Sequence, residues 1–399
     1  MLSIGINARY RNSVPDMLDE SADGSYQSGG ENNGDTVLVV NPSSGSGTTG
    51  KNWDNLYAQI KNSLRDSPKV AFTKKSGDGI ILTRGFLKNG FKNIVAIGGD
   101  GLINEVANGF FSITVKGERR RGRVDKDTNV SINDGASEVH EEEIQHVLEP
   151  VNPNAFMAIV PCGTRNVIAK SLDLPSQLED CCQRFVNGNP VKIDVISAAV
   201  TRISENDTID SNIVSELDSP RIFLNAAEIG VGAEIIDRSK KIRDTVKSRI
   251  LSTITSMIAT IPTYSSNICE LSVDEGRKKL ITKMTMAVIA NGKFLGGGFM
   301  AATKAHISDG LLDIVVLKNS GSLKMLDEFV RMRGEDDSSK NSGNEYTDDG
   351  NILYTRAKKL SMKTKEQEKS NVTVVVDGEP IGILPAAFQV HPNALNLKM

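Results

Sequence analysis

Three short loops rich in glycine and hydroxyl residues hold most of the chemical potential of this 399-residue chain. The sharpest is Gly98-Gly-Asp-Gly101. Glycines let a backbone approach an anion closely and turn N–H groups toward it, and a helix starting just beyond adds a favourable dipole. Asp100 cannot donate to a phosphate; it suits accepting hydrogen bonds or organising Mg²⁺ through water. Asn41-Pro-Ser-Ser-Gly45, followed by Gly47 and Gly50, offers the Ser43 and Ser44 hydroxyls as donors to phosphate oxygens. It lacks the GK[ST] element of a P-loop. Pro161-Cys-Gly-Thr164 with Asn166 is the third loop; there Thr164 either binds a ligand or caps a helix. Taken singly, each loop reads almost as well as an ordinary turn.

The elements around these loops give them a common purpose. Thr36-Val-Leu-Val-Val40 is a short apolar, β-branched run that stops at Asn41-Pro42, as a buried parallel strand does. Helical spacing follows through Trp53, Leu56, Ile60 and Leu64. The alternation repeats with strands at 69–73, 93–97 and 155–160 and helices at 79–89 and 102–110, which predicts a doubly wound α/β domain. In such a sheet the loops gather outside the carboxyl ends of the strands, where open α/β sheets bind ligands. Beyond Lys192-Ile-Asp-Val-Ile196 the pattern changes to short β-like runs at 221–226, 268–273, 282–290, 312–317, 359–363 and 372–376, predicting an antiparallel sandwich or barrel.

The expected organisation is a disordered tail over 1–35, an α/β domain over 36–195, a β-sandwich over 196–384, and a segment over 385–399 that returns to the first domain. Residues 115–153 break the α/β pattern and are expected to be a disordered insertion, basic at Glu118–Arg123 and acidic at Glu138–Glu143. One amphipathic helix is expected over Asp237–Ile261, with Lys240, Lys241, Arg243, Lys247 and Arg249 crowding its first half. It packs on a sheet with a solvated basic face or lies on an anionic membrane surface.

Composition narrows the classes. Lys+Arg is 47 against 50 Asp+Glu, and aromatics are only 5%, which argues against a basic, base-stacking nucleic-acid binder. No apolar run reaches the roughly 18–20 residues of a membrane span. The four cysteines, Cys162, Cys181, Cys182 and Cys269, fit neither a zinc cluster nor a CxxC redox site, and reduced thiols in a cytosolic chain are the expectation.

Seven segments in this order resemble the diacylglycerol kinase catalytic-domain family, including bacterial soluble diacylglycerol kinases, YegS-like lipid kinases and sphingosine kinases: NPSSGSGTTG (41–50), FTKKSGD (72–78), VAIGGDGLINEVANG (95–109), IVPCGTRNVIAKSL (159–172), FLNAAEIGVGAEI (223–235), NGKFLGGGFMAATKAHISDGLLDI (291–314) and VDGEP (376–380). The resemblance implies an NAD kinase/diacylglycerol kinase-like fold, a doubly wound parallel-sheet nucleotide-binding domain plus a β-sandwich second domain, with ATP in the cleft between them. On matching positions it implies nucleotide contacts from Asn41, Pro42, Ser43, Ser44, Gly45 and Thr73, from Gly98, Gly99, Asp100, Gly101, Leu102, Ile103 and Asn104, and from Thr164. Lys74 and Ser76 lie beside Thr73, and surface polarity of a helix is the alternative reading of Asn104 and Glu105. Glu379 matches the family's catalytic carboxylate; such a group accepts the proton of a hydroxyl that attacks the γ-phosphorus. Asp377 is the candidate for orienting it. His306, Asp309 and Leu311 match a segment that binds a structural Mg²⁺ in bacterial relatives, Asp309 through its carboxylate and the others through main-chain oxygens. Asp309-Gly310 also reads as a simple turn.

Two positions depart from the family. Leu102 stands where Thr or Ser is usual, removing a hydroxyl expected near the phosphates, and Arg165 stands where a small or polar residue is usual. The function that the resemblance implies is an ATP- and Mg²⁺-dependent kinase of a diacylglycerol-like lipid hydroxyl, working at a membrane surface from the cytoplasm with transient peripheral contact and no nucleic-acid partner. An NAD kinase-like enzyme and a non-catalytic lipid- or nucleotide-binding relative are the alternatives. The oligomeric state stays open, a homodimer included.

Overall fold

The computed structural model describes residues 35–64, 67–117, 144–201, 220–232, 234–235, 264, 266–295, 299–318, 346–348, 350–365 and 372–399. The expected tail over 1–34, the basic and acidic runs 118–143 and the expected helix 237–261 lie outside the described residues.

The first layer is a parallel sheet. Strands β1 (Thr36–Val40), β2 (Lys69–Phe72) and β3 (Asn93–Gly98) pair in the order β2-β1-β3. The side chains of Val37 to Val40 are fully buried, because helices cover both faces of β1. Helix α1 (Trp53–Leu64) packs Trp53 and Ile60 onto one face. Helices α2 (Asp78–Lys88) and α3 (Asp100–Gly109) pack Phe86, Leu87, Ile103 and Val106 onto the other. Each such apolar side chain contributes about 1.5–3 kcal/mol by leaving water.

Strands β4 (Phe111–Gly117) and β5 (Ile144–Pro150) form a separate antiparallel pair. β5 lies wholly, and the end of β4 partly, within the span 115–153 that the sequence suggests is disordered. That expectation is corrected at its ends: the residues flanking 118–143 satisfy each other's backbone groups, although their side chains show little apolar periodicity. The parallel sheet resumes at β6 (Phe156–Pro161), which pairs with β3, followed by the short helix α4 (Val167–Ser171) and α5 (Leu178–Asn187).

Strand β7 (Pro190–Thr201) then leaves the first layer for the second. The expected boundary at residue 195 falls inside this strand. The second layer contains β8 (Arg221–Phe223), β9 (Ala226–Gly230), β10 (Asn267–Val273), β11 (Lys278–Ala290) and β12 (Leu312–Lys318). It continues with β13 (Tyr346–Asp348), β14 (Ile352–Ala357), β15 (Lys359–Thr364), β16 (Thr373–Val376) and β17 (Glu379–Lys398). All pairings among β9 to β16 are antiparallel. Their inward residues form one core around Phe223 and Phe388, whose rings meet edge to face at 6.4 Å.

The 20-residue β17 ties the layers together. Its start pairs with β16, its middle with β15, and from Ile383 to Lys398 it runs antiparallel to β7, with two register shifts. At its end Leu397 sits beside Met157 of β6 in parallel register. The C-terminal segment 385–399 therefore completes the first sheet. Among the described residues no helix is long and apolar enough to cross a membrane.

Candidate active site

Parallel register brings the loops to one edge. Val40 lies abreast of Phe72 and Ile97, and Gly98 abreast of Pro161. The ladder extends just past the strand ends, with Asn41 N donating to Ile97 O at 3.1 Å and Thr73 N to Val40 O at 2.9 Å. Asn41, Thr73, Gly99 and Cys162 thus leave the sheet side by side. In the first loop Asn41 Oδ1 accepts from Ser43 N at 2.9 Å, and Ser44 Oγ donates to Asn41 O at 2.8 Å. Pro42 O accepts from Gly50 N at 2.9 Å. Gly45 takes a left-handed φ of 60°, where a side chain would be strained and would run into Thr48 and Cys162 O. Ser43 is exposed at the edge, whereas the Thr73 side chain is nearly buried.

The GGDG loop and the Pro161–Thr164 loop touch. A Cβ on Gly163 would lie 2.5 Å from Gly99 Cα, so only glycine permits this approach. Asp100 Oδ1 accepts from Ile168 N at 2.9 Å and fixes the start of α4. The residue capping α4 is Asn166, in a left-handed conformation, so Thr164 is left exposed beside the phosphate edge and is not the cap. Leu102 and Ile103 need correction as nucleotide contacts. Their side chains are buried in the core, Leu102 packing on Gly98 and Gly79, and Ile103 N already donates to Gly99 O at 3.1 Å, so of the two only the Leu102 backbone N–H can turn to an anion.

Asn104 is not a surface residue of α3 either. It is 3% exposed, and its Nδ2 donates to Ile222 O at 3.0 Å and to Asp377 Oδ2 at 2.8 Å. Asp377 and Gly378 form the left-handed turn between β16 and β17. The Asp377 carboxylate also accepts from the backbone N–H of Leu224, Asn225 and Ala226 at 3.0, 3.0 and 3.1 Å. Burial pushes its pKa up to about 6, against these donors, which pull it down. Asp377 therefore serves Glu379 by fixing the turn that carries it.

Glu379 is exposed at the start of β17, with Oε1 3.7 Å from the position a Cβ on Gly101 would take. A cleft of about 390 Å³ opens between them. Its first-domain wall includes Ser76, Gly101, Asn104 and Glu105, and its second-domain wall includes Ala198, Val200, Arg221 and Ile381. One end is thus a helix N-terminus and a carboxylate, and the other is largely aliphatic.

Three residues at or behind this cleft were given no role, or only a surface one, in the sequence reading. Glu105 accepts from Gly77 N at 2.7 Å, Gly79 N at 2.9 Å and Ser76 Oγ at 3.2 Å, which shapes the loop after Thr73. Arg221 stands at the head of β8, inside the cleft wall. Asp194, fully buried in β7, accepts from Gly310 N at 2.6 Å and Asn393 N at 2.7 Å. Only Asp194 left a readable signal, as the lone carboxylate in the apolar run 193–196.

Residues 35–198 match the diacylglycerol kinase catalytic domain, and residues 225–399 match the YegS C-terminal NAD kinase β-sandwich-like domain. The chain belongs to the diacylglycerol kinase catalytic-domain family. It is 21% identical over 357 residues to a protein named diacylglycerol kinase from Bacillus subtilis, covering 88% of this chain and 91% of that one. It is 24% identical over 367 residues to a protein named probable lipid kinase YegS-like from Yersinia enterocolitica, covering 91% and 96%. A solved structure titled as a diacylglycerol kinase from Bacillus anthracis superposes with a TM-score of 0.56 at 18% identity, covering 91% of this chain and 96% of that one. That likeness carries the two-domain fold.

The diacylglycerol kinase family implies ATP, and its resemblance implies Mg²⁺ at His306, Asp309 and Leu311. These residues do not fit a resident cation. Asp309 Oδ2 is held by the Arg356 guanidinium, and Asp309 Oδ1 accepts from Leu311 N at 3.1 Å. Arg356 Nε also lies 3.6 Å from the buried Asp313, which accepts from Tyr354 Oη. His306 Nδ1 faces the Ser308 amide and hydroxyl at 3.4 and 3.3 Å. Among the described residues no group of three His, Cys, Asp or Glu is placed to hold a metal. Arg356 supplies the positive charge that Asp309 requires.

Arg165 lies near enough for its charge to act on Glu228 of the second domain. Glu228, in the middle of β9, is pushed up to about 7 by burial, with the Arg165 charge pulling the other way.

Proposed function

We propose that this chain is an ATP-dependent lipid kinase acting on a hydroxyl of a diacylglycerol-like lipid. The observation that carries the reading is Glu379 facing Gly101 across the cleft. The GGDG backbone and the start of α3 suit the donor phosphates. Ser43, Gly45 and Thr164 stand on the same edge. Glu379 suits the acceptor: it takes the hydroxyl proton as the acceptor oxygen bonds to the γ-phosphorus and the bond to the β,γ-bridging oxygen breaks. ADP leaves with that electron pair. Mg²⁺ enters with the nucleotide and offsets charge on its phosphates.

The aliphatic wall of Ala198, Val200 and Ile381 supports a hydroxyl attached to an apolar body over one on a dinucleotide. A lipid acceptor implies contact with a bilayer from the cytoplasmic side. The test is a panel of diacylglycerols, dialkylglycerols, sphingoid bases and NAD offered with labelled ATP and read by mass. A phosphorylated glycerolipid is the expected product. Phosphorylation of NAD alone, or of nothing, would overturn the reading.

A further inference from the structure

Arg221 has no assigned role, yet its placement is unusually constrained. Ala198 of β7 lies opposite it in the sheet. The next residue, Ile222, is fully buried, and both of its backbone polar groups are fastened to α3. Ile222 N donates to Asn108 Oδ1 at 3.0 Å, and Ile222 O accepts from Asn104 Nδ2 and Asn108 Nδ2 at 3.0 and 2.9 Å. Asn104 also holds Asp377, two residues before Glu379. One buried amide therefore fixes both the Glu379 turn and the strand that starts with Arg221. Both residues line the same cleft.

Arg221 as a residue is half-buried, it lines the cleft, and among the described residues its guanidinium has no hydrogen-bond or ion-pair partner. The carboxylate that α3 contributes to the cleft wall, Glu105, is already taken up by Ser76, Gly77 and Gly79. A half-buried cation without a partner loses hydration for no return unless an anion arrives. Arginine suits a phosphate in particular, because its planar fork donates two hydrogen bonds to a pair of oxygens. The adjoining Ala198, Val200 and Ile381 place this cation on the acceptor side of the cleft.

We propose that Arg221 binds the transferred phosphoryl group as it becomes a phosphomonoester on the acceptor lipid. This rests on the phosphotransfer reading above. As the acceptor oxygen bonds to phosphorus and the bond to ADP breaks, the hydroxyl proton passes to Glu379, and the guanidinium meets two of the non-bridging oxygens. Arg221 stabilises charge there and takes no proton.

The experiment compares the full-length wild type, Arg221→Ala and Arg221→Lys, with two readouts. The first is steady-state turnover with ATP and dioctanoylglycerol. The second is calorimetric binding of dioctanoyl phosphatidate and of dioctanoylglycerol without nucleotide, which needs no turnover. Arg221→Ala is expected to lose at least about tenfold in kcat with little change in KM for ATP. It is also expected to bind phosphatidate about tenfold more weakly and dioctanoylglycerol normally, with Arg221→Lys in between. A melting curve like that of wild type excludes misfolding. Equal phosphatidate affinity in wild type and Arg221→Ala, or no phosphatidate binding to wild type, overturns the assignment. A wild type that turns over no lipid overturns the kinase reading instead, while the binding comparison still decides Arg221.

Discussion

Asn104 Nδ2 lies 2.8 Å from Asp377 Oδ2, a hydrogen bond that spans 273 positions of sequence and joins the helix after the GGDG loop to the turn before Glu379. Through it the glycine-rich edge of the first domain and the Glu379 turn of the second hold a common geometry. Asn104 to Ala is expected to cost about 1–3 kcal/mol of stability, because it leaves buried acceptors unpaired. Asp377 to Asn places an amide N–H against backbone donors and is expected to cost a similar amount. Urea denaturation of both single variants and the double variant should show a coupling energy of at least about 0.5 kcal/mol. Strict additivity would contradict the link.

The parallel strands were legible in the sequence because β1 and β3 are unbroken apolar runs that stop at Asn41-Pro42 and Gly98-Gly99. The site was legible in part, through glycine positions and the ordered motif series. The role of Asn104 was not, since its partners Ile222 and Asp377 lie 118 and 273 positions away and a polar helix residue reads as surface, and Asp377 was tied to Glu379 only through the family resemblance. β17 was also hidden. Its stretch EPIGILPAAFQVHPNALNLK mixes prolines and a glycine into the alternation, which reads as several short pieces. Arg221 drew no notice because it heads an ordinary β-like run, and only the folded cleft shows that it lacks a partner.

Gly163 to Ala tests the contact between the two phosphate-edge loops. The added methyl would meet Gly99 Cα at 2.5 Å and Asn166 Oδ1 at 2.6 Å, so one loop must move. Nucleotide binding by calorimetry is expected to weaken at least about tenfold, with a smaller loss of thermal stability, because the edge rather than the core is displaced. Unchanged ATP affinity would show that this edge does not hold the nucleotide.

Arg356 provides a test by metal removal. The melting temperature of wild type is expected to be the same, within about 1 °C, in EDTA and in millimolar Mg²⁺ without nucleotide, since no resident ion contributes binding energy to the fold. Arg356 to Gln leaves Asp309 and the buried Asp313 without their cation and is expected to cost roughly 2–3 kcal/mol. A wild-type melting temperature that falls in EDTA and recovers with one equivalent of Mg²⁺ would contradict this.

His146 and His391 predict acid sensitivity. Ser197 Oγ sits between them, 2.6 Å from His146 Nδ1 and 2.8 Å from His391 Nε2. Burial lowers both to about 4, with the charges of His391 and Lys359 adding to the effect on His146. Each histidine is neutral when folded and binds a proton near pH 6.5 when unfolded, so stability present above that pH is lost as pH falls toward 4. At pH 5 the loss is on the order of 2 kcal/mol per histidine. Denaturation curves between pH 7.5 and 5 should show it, and a variant with both histidines changed to Gln should show much less. An equal acid loss in that variant would assign the effect elsewhere.

The most direct measurement of the central claim is a single-turnover assay of Glu379 to Gln with MgATP and dioctanoylglycerol in mixed micelles. Loss of the proton acceptor is expected to slow phosphoryl transfer by about 10²–10⁴-fold, with ATP affinity and melting temperature unchanged. Transfer near the wild-type rate would contradict the assignment of Glu379 as the base.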